Sequence, residues 1–182
     1  MEVLKPIGLS VLDAFRKRNQ KELRKLDDVL LKKAAKDFSK SLLEFAVITY
    51  VLSKITSKPR FLAKERKKEI TNVEDSLKSA VDLLDIGEEA LIIAAFKKVE
   101  NAIFALEKTD RRFMVDLVSK GKLKAAATLY AQGISLGLSS EMTGMEKQDI
   151  LEYAGRTMMF DRVKEERTIM ERVKSARRLI GG

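Results

Sequence analysis

Residues 38–55 read FSKSLLEFAVITYVLSKI, and Leu42, Leu43, Phe45, Ala46, Val47, Ile48, Tyr50, Val51 and Leu52 put apolar side chains on nearly every side of a helix. A helix that is apolar all round is surrounded by other protein. This segment is therefore the expected central helix of an all-α, multi-helix bundle. Glu44, Ser41 and the flanking lysines cut the continuous apolar run to about eight residues, against the roughly 20 that a bilayer needs. No membrane span is expected.

The only prolines, Pro6 and Pro59, bracket the region before and through this helix, and two helices are expected between them. The first would run from Ser10 as N-cap through Leu12, Phe15, Leu23, Leu26 and Leu30. It has one polar gap, from Arg16 to Glu22, and an outer face of Arg16, Lys17, Arg18, Lys21, Arg24 and Lys25. Beyond Pro59, Ile70, Val73, Leu77, Val81 and Leu84 form one stripe, a helix that Asp85-Ile86-Gly87 should end. Glu88 and Glu89 open the next, through Leu91, Ile92, Ala95, Val99, Ile103 and Leu106. The last third should hold a short helix from Lys108 to Gly121, a small-residue helix over 123–138, and a terminal helix over 162–180 with Val163, Met170, Val173 and Ile180 on one stripe. Sustained two-residue alternation is missing, so no sheet is expected. No repeat of fixed period is present. The organisation expected is a bundle core over 1–108 and a C-terminal helical region over 109–182 packed on it.

Composition narrows the chemistry. The chain has no cysteine, histidine or tryptophan in 182 residues. That removes thiol nucleophiles, the commonest metal ligand and the side chain best placed to transfer protons near neutral pH. Phosphate-binding Gly-rich loops and the Gly-x-Ser-x-Gly turn are missing too. Neither a catalytic residue, a metal site nor a cofactor is expected, although a carboxylate-only magnesium site stays open. The acids worth following are Glu44 on the apolar helix, then Glu100, Asp82 and Asp85, since burial can raise a carboxyl pKa. Glu44 is expected as a satisfied bundle residue or at the bundle edge.

The absence of cysteine and of a signal-like amino terminus over Met1 to Pro6 points to the cytoplasm. Many Lys, Glu and Arg with few amides fit a protein selected for heat. The formal net charge of +9 favours polyanions such as nucleic acid or an acidic membrane surface. A basic balance without functional meaning is the other reading.

Residues 136–153 read LGLSSEMTGMEKQDILEY, in which Ser140, Gly144, Met145, Ile150 and Tyr153 fall at set intervals. This spacing resembles the helix-turn-helix of DNA-binding proteins, in which a small residue admits the second helix, a glycine makes the turn and apolar residues follow. The resemblance implies that Lys147 and Gln148 face base edges, with Arg156 just beyond. The same residues also suit a plain bundle connection, Gly144 stopping one helix and Glu146 helping to start the next.

Two basic clusters could contact phosphates: Lys64, Arg66, Lys67 and Lys68, and then Arg172, Lys174, Arg177 and Arg178. As solvated helix faces they would instead pair with Glu65, Glu69, Glu165, Glu166 and Glu171 at helical spacings. Two functional expectations follow. One is a non-catalytic protein binding nucleic acid through 139–156. The other is a helical scaffold that docks a protein partner, or a second copy through the amphipathic 162–180 helix.

Overall fold

The computed structural model describes residues 4–84, 88–108 and 116–162, and every regular element among them is helical. The chain divides into two compact units, Met1–Lys122 and Leu123–Gly182. The all-α bundle expected from the sequence is what forms. No helix among the described residues is long and apolar enough to cross a membrane.

In the first unit, α1 (Leu4–Arg16) and α2 (Gln20–Asp37) lead to α3 (Lys40–Thr56), the central helix. Phe45, Ala46, Ile48, Val51, Leu52 and Ile55 are all essentially without solvent exposure. Phe45 stacks on Phe96, ring centroids 5.2 Å apart. The buried hydroxyls of α3 bond back along it, Thr49 Oγ1 donating to the Phe45 carbonyl at 2.8 Å and Ser53 Oγ to the Tyr50 carbonyl at 2.6 Å. Their burial therefore leaves no donor stranded. The helix starts two residues later than expected: Ser39 is the cap, and Phe38 is an exposed left-handed turn residue at φ 50°.

The helix expected from Ser10 to Leu30 is two helices. Its polar gap is a corner, with Arg18 at φ 54° and Asn19 Oδ1 accepting from the Glu22 N–H at 3.1 Å. Ser10 is no cap, since its hydroxyl donates to the Pro6 carbonyl inside α1. Pro6 sits in the first turn, where a missing N–H costs nothing. Beyond α3, three-residue 3₁₀ turns at Pro59–Phe61 and Lys64–Arg66 precede α4 (Lys67–Leu83). Its stripe of Ile70, Val73, Leu77, Val81 and Leu84 is buried as expected. α5 (Glu89–Lys108) packs on α4 and α3, but Leu91, expected in its stripe, is exposed.

Gly121 does not end a helix. α6 (Leu117–Ala131) runs straight through it, because the glycine meets α3: a Cβ there would lie 3.1 Å from both Val47 Cγ1 and Val51 Cγ2. The missing side chain serves close helix approach rather than a turn. α6 also stops short of the expected 138, at a turn with Gly133 at φ 94°.

In the second unit, Ser135 caps α7 (Leu136–Thr143), Gly144 turns the chain at φ 70°, and α8 (Lys147–Arg156) follows, then the single turn α9 (Met159–Arg162). Ala126, Ala127, Ala131, Ile150, Ala154 and Met159 form its core. The small residue without exposure on α7 is Ser139; Ser140, half-buried, donates to the Met145 carbonyl at 2.7 Å and braces the turn. The expected 162–180 helix, and with it Arg172, Lys174, Arg177 and Arg178, falls almost wholly outside the described residues.

Candidate nucleic-acid interface

A dense run of cations lies in the connection from α3 to α4 and the first turn of α4. Residues 58–68 hold Lys58, Arg60, Lys64, Arg66, Lys67 and Lys68 against a single acid, Glu65. Their backbone is not a loose loop. Pro59 presets φ for a 3₁₀ turn, and Phe61, the one aromatic in the run, is 2% exposed. Three cations gather round its ring: Arg60 Cζ at 5.1 Å, and Lys58 Nζ and Arg66 Cζ at 5.8 Å from the centroid. Such contacts draw on the ring quadrupole and anchor the stems of a segment that would otherwise repel itself. Lys64, Lys67 and Lys68 are left exposed.

These lysines stand where α4 begins, and the helix has no side-chain cap, its N-cap residue being Arg66. The start of a helix carries partial positive charge and unsatisfied N–H groups. Glu69 in the first turn offsets part of this, but the surplus is cationic.

The α1–α2 corner adds to the same face. Arg18 is held by donating to the Phe15 carbonyl at 3.1 Å and to Glu74 Oε1 at 2.8 Å, with its guanidinium over the Phe15 ring. Glu74 belongs to α4, so this bond ties the corner to that helix. Arg18, Lys64 and Lys67 together rim a cleft of about 180 Å³ whose other walls are Leu62, Ala63 and Ile70. An open groove of about 940 Å³ shares Lys64 and Lys67 with the cleft and is lined further by Lys68, Thr71 and Asn72 and by three acids, Glu65, Glu69 and Asp75. The structure thus brings Lys64 and Lys67, expected as phosphate contacts, together with Arg18, which the sequence marked only as part of an outer face.

The 139–156 segment is different in charge. Lys147, Gln148 and Arg156 are exposed, but so are Glu141, Glu146, Asp149 and Glu152, four acids against two cations. Ile150 and Ala154 face inward without exposure, and Leu151 is 41% exposed on the outer side.

Among the acids, Glu44 is half-buried, and its carboxyl pKa is raised, by burial first and then by Glu100, with Lys122, Lys40 and Lys97 opposing. Glu100 is buried and paired with Lys97 at 2.7 Å and Lys122 at 3.4 Å, an ion-pair cluster across α5 and α6. Asp82 is exposed and Asp85 lies outside the described residues. The sequence pattern did not single out Glu107, which is 1% exposed and accepts the Leu117 N–H at 3.0 Å, closing the start of α6 from α5. Burial pushes its pKa up to about 7, with Asp116 adding to this and the Leu117 N–H, Lys58 and Lys120 pulling back. Its only legible signal was an acid in the α5 stripe next to Leu106. Among the described residues no three acids cluster closely enough to hold a metal ion.

Compared with family models, with curated proteins and with solved structures, the chain matches none.

Proposed function

We propose that this protein binds nucleic acid without catalysis, gripping the phosphate backbone with the basic face formed by residues 58–68 and the α1–α2 corner. The observation that carries the reading is the meeting of Arg18, Lys64 and Lys67 around one cleft at the uncapped start of α4. Cations crowded at a helix N-terminus repel the dipole and one another, and an anion bound there relieves both. The test is a salt titration with duplex and single-stranded probes. Replacing Lys64, Lys67 and Lys68 together with Gln should flatten the dependence of log K on log salt by about two to three units if all three neutralise phosphates. An unchanged slope would count against this face.

Contact through 139–156 is a second place for the same function, supported by the helix, three-residue turn and helix around Gly144. Lys147→Gln and Arg156→Gln would then each lower the slope by about one unit. The acids beside them favour the 58–68 face. A partner protein is the other reading, favoured by the exposure of the apolar Leu151, Met158 and Phe160 at 41%, 64% and 54% in the second unit, since exposed apolar patches mark interaction surfaces. Binding of nucleic acid in the titration decides against it as the main activity.

A further inference from the structure

Resting on that reading, we infer that the cleft between the α1–α2 corner and the start of α4 seats one unpaired nucleotide, so that the protein prefers single-stranded nucleic acid to duplex. The cleft has two kinds of wall. Leu62, Ala63 and Ile70 offer apolar surface, and Arg18, Lys64 and Lys67 offer positive charge. A nucleotide has the same two halves, a flat base with apolar faces and an anionic phosphate. The size fits one unit of a polymer. About 180 Å³ is below the roughly 300–1,000 Å³ of pockets that engulf a whole small molecule, yet it is many times the space that one water needs.

The surroundings say how a strand would continue. Lys64 and Lys67 line both the cleft and the open groove, where Lys68 and Asn72 stand beside Glu65, Glu69 and Asp75. A base lowered into the cleft leaves its phosphate between these lysines and the next nucleotide in the groove. Arg18, also lining the cleft, is held in place by its bonds to Glu74 and the Phe15 carbonyl. Those bonds use two of the five guanidinium N–H donors, so donors remain for a phosphate. A duplex cannot use the cleft without unstacking and unpairing a base. It can meet only the lysines at the rim.

The experiment measures binding of the full chain to a labelled oligothymidylate of about twelve nucleotides, to the same strand in duplex form, and to an abasic strand of equal length, at several salt concentrations. The expected result is single-strand binding about tenfold tighter than duplex, with most of that margin lost on the abasic strand, because the backbone charge is the same and only the seated base is missing. Ala63→Leu, at a half-buried position in the connection before α4, places a larger side chain in the cleft and should bring the single-strand and duplex affinities together. Equal binding of strand and duplex, or of thymidylate and abasic strand, or a margin that survives Ala63→Leu, overturns the nucleotide seat while leaving the basic face standing. No binding to any of the three at low salt overturns the basic face and the seat with it.

Discussion

Glu107 allows the stability of this protein to be adjusted through a single atom. Its Oε1 accepts the Leu117 N–H at 3.0 Å, while Oε2 is buried with no hydrogen-bond partner. With the folded pKa at about 7 against an ordinary 4.5, the folded protein holds a proton that the unfolded chain gives up. The contribution is therefore fully present below pH 4.5 and is lost as pH rises through 7. At about 1.4 kcal/mol for each tenfold change in proton affinity, the full swing is at most about 3.5 kcal/mol. Glu107→Gln keeps a carbonyl oxygen for the Leu117 N–H and removes the titration. Urea denaturation of wild type and variant at pH 5, 6, 7 and 8 gives the difference directly, other titrating groups cancelling between the two. The variant should match wild type near pH 5 and gain on it by about 1–3 kcal/mol by pH 8. A difference that stays constant across this range would refute the assignment of a buried, high-pKa carboxyl to Glu107.

Three further perturbations test the fold around the proposed interface. Phe45→Ala removes the ring stacked on Phe96 at the centre of the bundle and should cost about 3–5 kcal/mol in chemical denaturation. Asn19→Ala removes the cap that starts α2 after the Arg18 corner and should cost about 1 kcal/mol; because Arg18 precedes it directly, the same variant should weaken nucleic-acid binding. Gly144→Ala puts a side chain at φ 70° in open space, so it should cost about 1–2 kcal/mol from backbone strain alone, read as a lower melting temperature.

The parts of the fold legible in the sequence were those carried by periodicity. The apolar run of 42–52 and the stripe from Ile70 to Leu84 read correctly because each side chain contributes to burial and one misplaced residue does not change the pattern. Ends and corners depend on single residues with two possible uses, and there the sequence was ambiguous. Gly121 could stop a helix or let two helices touch, and only the presence of Val47 and Val51 opposite it decides. Arg18 gave no sign of its left-handed turn, although the polar gap around it and Asn19 beside it were in view. The candidate site was half legible for the same reason. The lysines of 64–68 are a local run, but the cleft needs Arg18, more than forty positions away in sequence, and Phe61 beneath the run matters through contacts that no spacing reveals.

The starts of the helices offer a reason to place the interface at α4 rather than α8. A helix start is satisfied by an acceptor side chain and by negative charge, and most starts here obey that rule. Asn19 caps α2 with Glu22 following, Ser39 caps α3, and Asp116 with Glu107 closes α6, taking the N–H groups of Val118 and Leu117. α8 has no side-chain cap either, but its charge follows the rule, with Glu146 before it and Asp149 in its first turn. A phosphate approaching α8 would meet two carboxylates already occupying the favourable field. α4 departs from the rule, with Lys64, Arg66, Lys67 and Lys68 around an end that no side chain caps and two acids, Glu65 and Glu69, to offset four cations. Each misplaced charge costs a few tenths of a kcal/mol to about 1 kcal/mol, and departures of this kind concentrate where a protein binds something. The cost disappears when an anion supplies the missing acceptors, so the free protein should gain stability from phosphate-bearing ligands by the amount that mass action gives. Lys64→Glu, reversing one of these charges, should raise the stability of the free chain while lowering its affinity for nucleic acid. A variant that lost both together would mean that the lysines support the fold rather than the ligand.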